Sequence, residues 1–147
     1  MAYTDFEITL SENLTPAQIQ AALVDLIPPG SRVDVQSDFP DELGAVWARL
    51  RPSRDQDWPC LLTVTCRDSF DIAPYEDLAL AKRLWERFGV SSLCHTYPFL
   101  EDVDPRDPYW SLACVGGEWH LADTSGTPLS GTGDDSVRLV RAVEVPW

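Results

Sequence analysis

Cys94 and His95 are neighbours in the chain, and a thiolate beside an imidazolium is the nucleophile of many hydrolases. The surrounding Ser92 to Tyr97 reads as a strand, however, and successive strand residues point to opposite faces. The pair therefore reads as a small buried cysteine with a surface histidine. A metal held by His95 and His120 with Cys94 or Cys114 would have to be assembled across strands, and no spacing marks such a site. Cys60 and Cys66 share a strand parity but lie six residues apart, about 20 Å by strand rise, too far to share one ion. The carboxylates Glu101, Asp102, Asp104 and Asp107 suit a hard cation in type, yet a calcium loop of the EF-hand kind needs a glycine at its turn and a closing glutamate, where this loop has Pro105 and Pro108. The glycine-rich run 126–133 lacks the lysine and following helix of a phosphate loop. The expectation is no catalytic residue, no metal and no cofactor.

What the carboxylates do offer is charge. The formal total is -13 over 147 residues, and it is unevenly placed. Residues 1–48 carry eight acids against Arg32, residues 89–137 carry eight against Arg106, and residues 49–88 balance seven acids with seven bases. Two acidic blocks around a neutral one suit a one-signed face that attracts a basic partner. The same acidity argues against direct binding of nucleic acid or an anionic membrane, both of which need clustered cations. Ten arginines against the single Lys82 read as the codon composition of a GC-rich bacterial genome. Met1 to Asp5 reaches an acid at once and no apolar run approaches the length that spans a bilayer, so a cytoplasmic protein with four reduced thiols is expected.

The elements that must position these residues are legible. Phe6, Ile8 and Leu10 alternate on one face of a strand. Thr15-Pro16-Ala17-Gln18 supplies an N-cap, a first-position proline and a glutamine able to close a capping box, with Leu14 and Ile19 at the staple positions. Ile19, Leu23, Leu26 and Ile27 form the apolar stripe of that helix, and Pro28-Pro29-Gly30 stops it. Arg32 to Val35 reads as a strand, Ser37 to Glu42 as an acidic loop, and Ala45 to Arg51 as a strand able to show Trp47 to solvent or a partner. After a polar turn from Pro52 to Pro59, the strand Cys60 to Cys66 turns both end cysteines inward. Pro74 to Phe88 is the second helix, with Glu76 and Asp77 in its first turn and Arg87 in its last, as the helix dipole favours.

Pro98 to Pro108 is a proline-stiffened acidic loop. Tyr109 to Thr124 follows as a hairpin turned by Gly116-Gly117. Its register pairs Val115 with Glu118, Cys114 with Trp119, Ala113 with His120, Leu112 with Leu121 and Ser111 with Ala122. Ser125 to Ser136 reads as a linker and Val137 to Val145 as a closing strand. The order β-α-β-β-β-α-β-β-β-β predicts a single α+β domain over 1–147, a mainly antiparallel sheet with two helices packed on one face. The other sheet face must be open or covered by something else.

Aromatic residues interleave with the second acidic block. Tyr97 and Phe99 flank its loop, and Tyr109 and Trp110 follow it, a pattern of anchors among charges that suits a protein interface. A small, acidic, tryptophan-rich α+β domain of this profile resembles the bacterial immunity proteins that neutralise antibacterial toxins, including those of type VI secretion and contact-dependent systems. The resemblance implies a non-catalytic antitoxin that blocks a basic toxin's active site. On that reading Glu101, Asp102, Asp104 and Asp107 mimic substrate phosphates, and Tyr109 or Trp110 fills a pocket. Two further readings remain open at this point: a small enzyme or ligand-binding domain with a sheet-face pocket near Cys94 and His95, and an acidic chaperone or adaptor for a secreted protein.

Overall fold

The computed structural model describes residues 4–35, 46–66, 75–131 and 133–146. The acidic stretch Ser37 to Glu42, the strand start at Ala45 and the helix start at Pro74 lie outside the described residues. The architecture is the expected α+β one. Strands β1 (Thr4–Leu10), β2 (Val33–Val35), β3 (Val46–Asp55), β4 (Trp58–Cys66), β5 (Ser92–Cys94), β6 (Trp110–Val115), β7 (Glu118–Asp123) and β8 (Arg138–Ala142) form one sheet. Their spatial order is β2-β3-β4-β1-β5-β6-β7-β8. Among the described residues only the β2–β3 pair is parallel; the other neighbours run antiparallel.

The helices α1 (Pro16–Val24) and α2 (Glu76–Phe88) cover one face. Beneath them lies a core that takes Phe6, Ile8 and Leu10 from β1, Leu62 and Val64 from β4, and Leu112 and Cys114 from β6. Alternation along each strand puts these residues on the helix side and their neighbours on the other. The capping box of α1 forms as its sequence dictates: the Thr15 hydroxyl accepts from the Gln18 N–H at 3.2 Å, and the Gln18 side chain accepts from the Thr15 N–H at 2.9 Å. The helix ends at Val24, short of the proline stop, because Asp25 caps it and is drawn to α2. There its carboxylate accepts from Arg83 at 2.6 Å and Arg87 at 3.0 Å. Ile27 stays buried beyond the helix end.

The hairpin of β6 and β7 has the expected register throughout, and Gly116 and Gly117 both hold positive φ, at 63° and 79°, as a two-residue turn matched to strand twist requires. Against expectation, the first hairpin is tighter than a loop from Pro52 to Pro59: β3 runs to Asp55 and β4 starts at Trp58, with a register shift between Pro52 and Asp55. Trp58 is buried against Leu93, Ala113 and Ala122. Trp47 is also buried, 7% exposed, which removes it as an exposed contact.

Leu93, Ala113 and Ala122 belong to the sheet face that carries no helix. They are covered by the segment that reads as a linker, which crosses this face through a 3-10 turn, Pro128–Ser130, and sets Leu129 on the small residues, with Val137, expected to open the closing strand, beside it just before β8. Hydroxyls hold its entry, since Thr124 Oγ1 donates to the Tyr109 carbonyl and Thr127 Oγ1 to the Thr124 carbonyl at 2.7 Å. At the sheet edge, β8 is exposed along its length. A bulge opposite Leu121 and Ala122 interrupts its pairing, and Arg138 and Arg141 carry charge along it, the usual defences of an edge strand.

Candidate functional site: an acid-walled cavity on the helix-free face

The loop after β5 owes its shape to two apolar anchors. Leu100 and Val103 are buried, and their N–H groups close successive turns onto the Tyr97 and Leu100 carbonyls. That spacing turns Glu101, Asp102 and Asp104 outward, and all three are exposed. Two of the carboxylates are already partnered. Asp102 accepts from Arg141 of β8 at 2.7 and 2.8 Å, and Asp104 from the Arg106 side chain at 3.2 and 3.3 Å. The Asp104 carboxyl is held below the usual carboxylate range, first by the Arg106 backbone N–H and then by its guanidinium. Asp107 accepts from the Tyr109 N–H at 3.0 Å, and among the described residues neither it nor Glu101 has an ion pair.

The aromatic residues divide. Tyr109 is 47% exposed and Trp110 half-buried against the core. Tyr97 and Phe99, expected on the surface flank of the loop, pack inward instead: their rings stack at 6.1 Å, and the Tyr75 ring meets them edge-on at 5.1 and 6.0 Å. The reason is α2. Its first turn is buried, with Asp77 only 1% exposed. The Tyr97 hydroxyl donates to Asp77 Oδ1, which also accepts from the Leu78 N–H at 2.8 Å. Burial raises the Asp77 carboxyl, with those hydrogen bonds and His95 opposing. Glu76 and Asp77 stand in the first turn as expected, and both are buried.

No thiol is poised for attack. Cys94 Sγ donates to the Asp77 carbonyl at 3.8 Å inside the core, and burial, then Asp77 and Cys114, push it well above the ordinary thiol value. Burial likewise drives Cys66 up to about 12 and Cys114 to about 11, and raises Cys60. Cys94 faces the core side and His95 is exposed, although β5 ends at Cys94, short of the expected Tyr97. Among the described residues no group of three or more histidine, cysteine or acidic side chains is placed to hold a metal ion, and no helix is long and apolar enough to cross a membrane.

The acidic loop and the 3-10 turn border an open cavity of about 330 Å³ on the helix-free face, lined by Glu7, Thr9, His95, Asp107, Trp110 and Leu129 among others. A neighbouring cavity of about 300 Å³ shares Glu7, Thr9 and Leu129. The strand order creates this site. Because β1 lies between β4 and β5, its outward residues Glu7 and Thr9 reach the middle of the sheet, and one acid from each acidic block arrives at the same wall. Of the residues singled out in the sequence, Asp107 and Trp110 line the cavity, whereas Glu101, Asp102, Asp104 and Tyr109 do not. Glu7, Thr9 and Leu129 escaped sequence reasoning. Alternation did mark Glu7 and Thr9 as off the core face, but nothing local says which strands flank them. No protein-family model, curated protein or solved structure matches this chain.

Proposed function

We propose that this protein is a non-catalytic binding protein that neutralises a basic protein partner, a bacterial toxin domain, by presenting an acidic surface to its active site. The observation that carries the reading is the meeting of Glu7 and Asp107, one from each acidic block, at a single cavity bordered by the exposed carboxylates of the 98–108 loop. Tyr109, 47% exposed, is the aromatic anchor beside it, of the residue type that dominates interface energetics. Glu101 and Asp107 contribute the strongest attraction, because Asp102 and Asp104 already hold arginines. The buried, proton-retaining thiols support a binding role over nucleophilic chemistry.

The test is co-expression with the product of the neighbouring open reading frame, followed by purified binding. Rescue of growth and a complex whose association rate falls steeply with added salt are expected. Charge reversal at Glu101 and Asp107 should slow association, and further reversal at Asp102 and Asp104 should add to it. Binding that ignores both salt and all four reversals overturns the reading.

A further inference from the structure

We propose that the cavity on the helix-free face receives an arginine side chain from the basic partner, so that recognition includes an inserted guanidinium as well as surface charge. This deepens the reading above and rests on it for the identity of the donor, though the cavity's chemistry stands apart from it. A guanidinium is planar, always charged, and presents five N–H donors that need acceptors. Glu7 and Asp107 supply carboxylates, and Thr9, Ser111 and Thr124 supply hydroxyls on the same lining.

These carboxylates are not saturated. Glu7 meets Arg51 only at 3.4 Å, longer than the 2.7–2.9 Å typical of a charge-assisted contact. One oxygen of Asp107 takes the Tyr109 N–H. The cation on the cavity's own wall does not compete, because Arg106 is bound to Asp104 and its side chain is 92% exposed, turned to solvent.

Pro105 and Pro108 provide the rest of the fit, their rings offering apolar surface to the methylene stem. About 330 Å³ lies at the small end of ligand cavities, enough for one long side chain and too little for a large cofactor. A lysine ammonium is a point charge that satisfies the acceptors less completely, so arginine is the preferred occupant.

N-acetyl-L-arginine methylamide, the matching lysine and glutamate derivatives, and inorganic phosphate are titrated into the full chain and followed by amide shifts in ¹H–¹⁵N spectra. The titration is run at pH 8, above the histidine range. Saturable shifts at Thr9, Ser111 and Thr124 with the arginine probe, weaker ones with lysine and none with glutamate or phosphate are expected. Glu7→Gln with Asp107→Asn should weaken arginine binding by roughly tenfold or more, while Glu86→Gln on α2 leaves it unchanged; peak dispersion verifies that each variant is folded. No saturable shift, an unaltered affinity in the double variant, or a preference for glutamate or phosphate overturns the proposal. Failure here with charge-sensitive partner binding intact removes the inserted arginine alone. Arginine binding without any charge-sensitive partner removes the toxin reading alone.

Discussion

The two glycines of the second hairpin differ in one measurable respect. A methyl group on Gly116 meets nothing within 4 Å, whereas on Gly117 it lies 2.8 Å from Trp85 Nε1 and 3.3 Å from its Cδ1. Both residues hold positive φ, so alanine at either incurs the left-handed penalty of about 1–2 kcal/mol. Part of that is offset by roughly 0.4–1 kcal/mol from a less flexible unfolded chain. Gly116→Ala should therefore cost about 1 kcal/mol. Gly117→Ala must also displace the Trp85 indole from α2, an overpacking penalty of about 1–3 kcal/mol, for a total near 2–4 kcal/mol. In a chain of this size each 1 kcal/mol lowers Tm by about 2–4 °C. Urea unfolding followed by far-ultraviolet circular dichroism is the suitable assay, since tryptophan fluorescence would report the moved ring itself. Replacing Trp85 with leucine should shrink the gap between the two variants, because it removes the atoms struck. Equal costs at the two glycines, or a gap that survives Trp85→Leu, refute the claimed contact between hairpin and helix.

Three further outcomes follow from the buried and paired groups. Burial raises the Asp77 carboxyl above its unfolded value, so its contribution is most favourable below the unfolded pKa and declines as pH rises through the raised native one. Asp77→Asn keeps an acceptor for Tyr97 and Leu78, and its stability relative to the parent should improve between pH 4 and pH 8; a pH-independent difference would contradict this. Asp25 has the opposite sign, lowered by Arg83 and then Arg87. The loss caused by Asp25→Asn should be present near neutral pH and vanish as the pH falls through the native carboxyl's titration, and a loss that persists in acid counts against the ion pairs. All four cysteines are buried, so a disulfide exchange reagent at pH 8 should label none in the folded protein and four after denaturation; rapid labelling of Cys94 would revive the enzymatic reading.

Sequence alone reached far where the determinant was local. The Gly116-Gly117 turn and period-two alternation fixed every pair in the β6–β7 ladder, and Thr15 with Gln18 fixed the start of α1. In both cases the determinant is local, a three-residue capping box or a two-residue turn from which period two carries the register, so residue type and spacing are sufficient. The element order and the mainly antiparallel α+β class were legible for the same reason. The candidate site was legible only in part. Asp107 and Trp110 were marked by charge and aromaticity, but Tyr97 and Phe99, marked by the same signals, face inward because Asp77 and Tyr75 lie beneath them.

Long-range packing decided the remainder. Asp102 is neutralised by Arg141, 39 residues away. Leu129 looks like a linker residue until the small side chains Ala113 and Ala122 lie below it. Above all, the insertion of β1 between β4 and β5 carries Glu7 into the centre of the sheet and to the wall it shares with Asp107. Alternation settles which face of a strand a residue occupies, because the pleat is a property of one strand. Which strands lie beside it depends on burying the whole core at once, and only the tertiary structure holds that information.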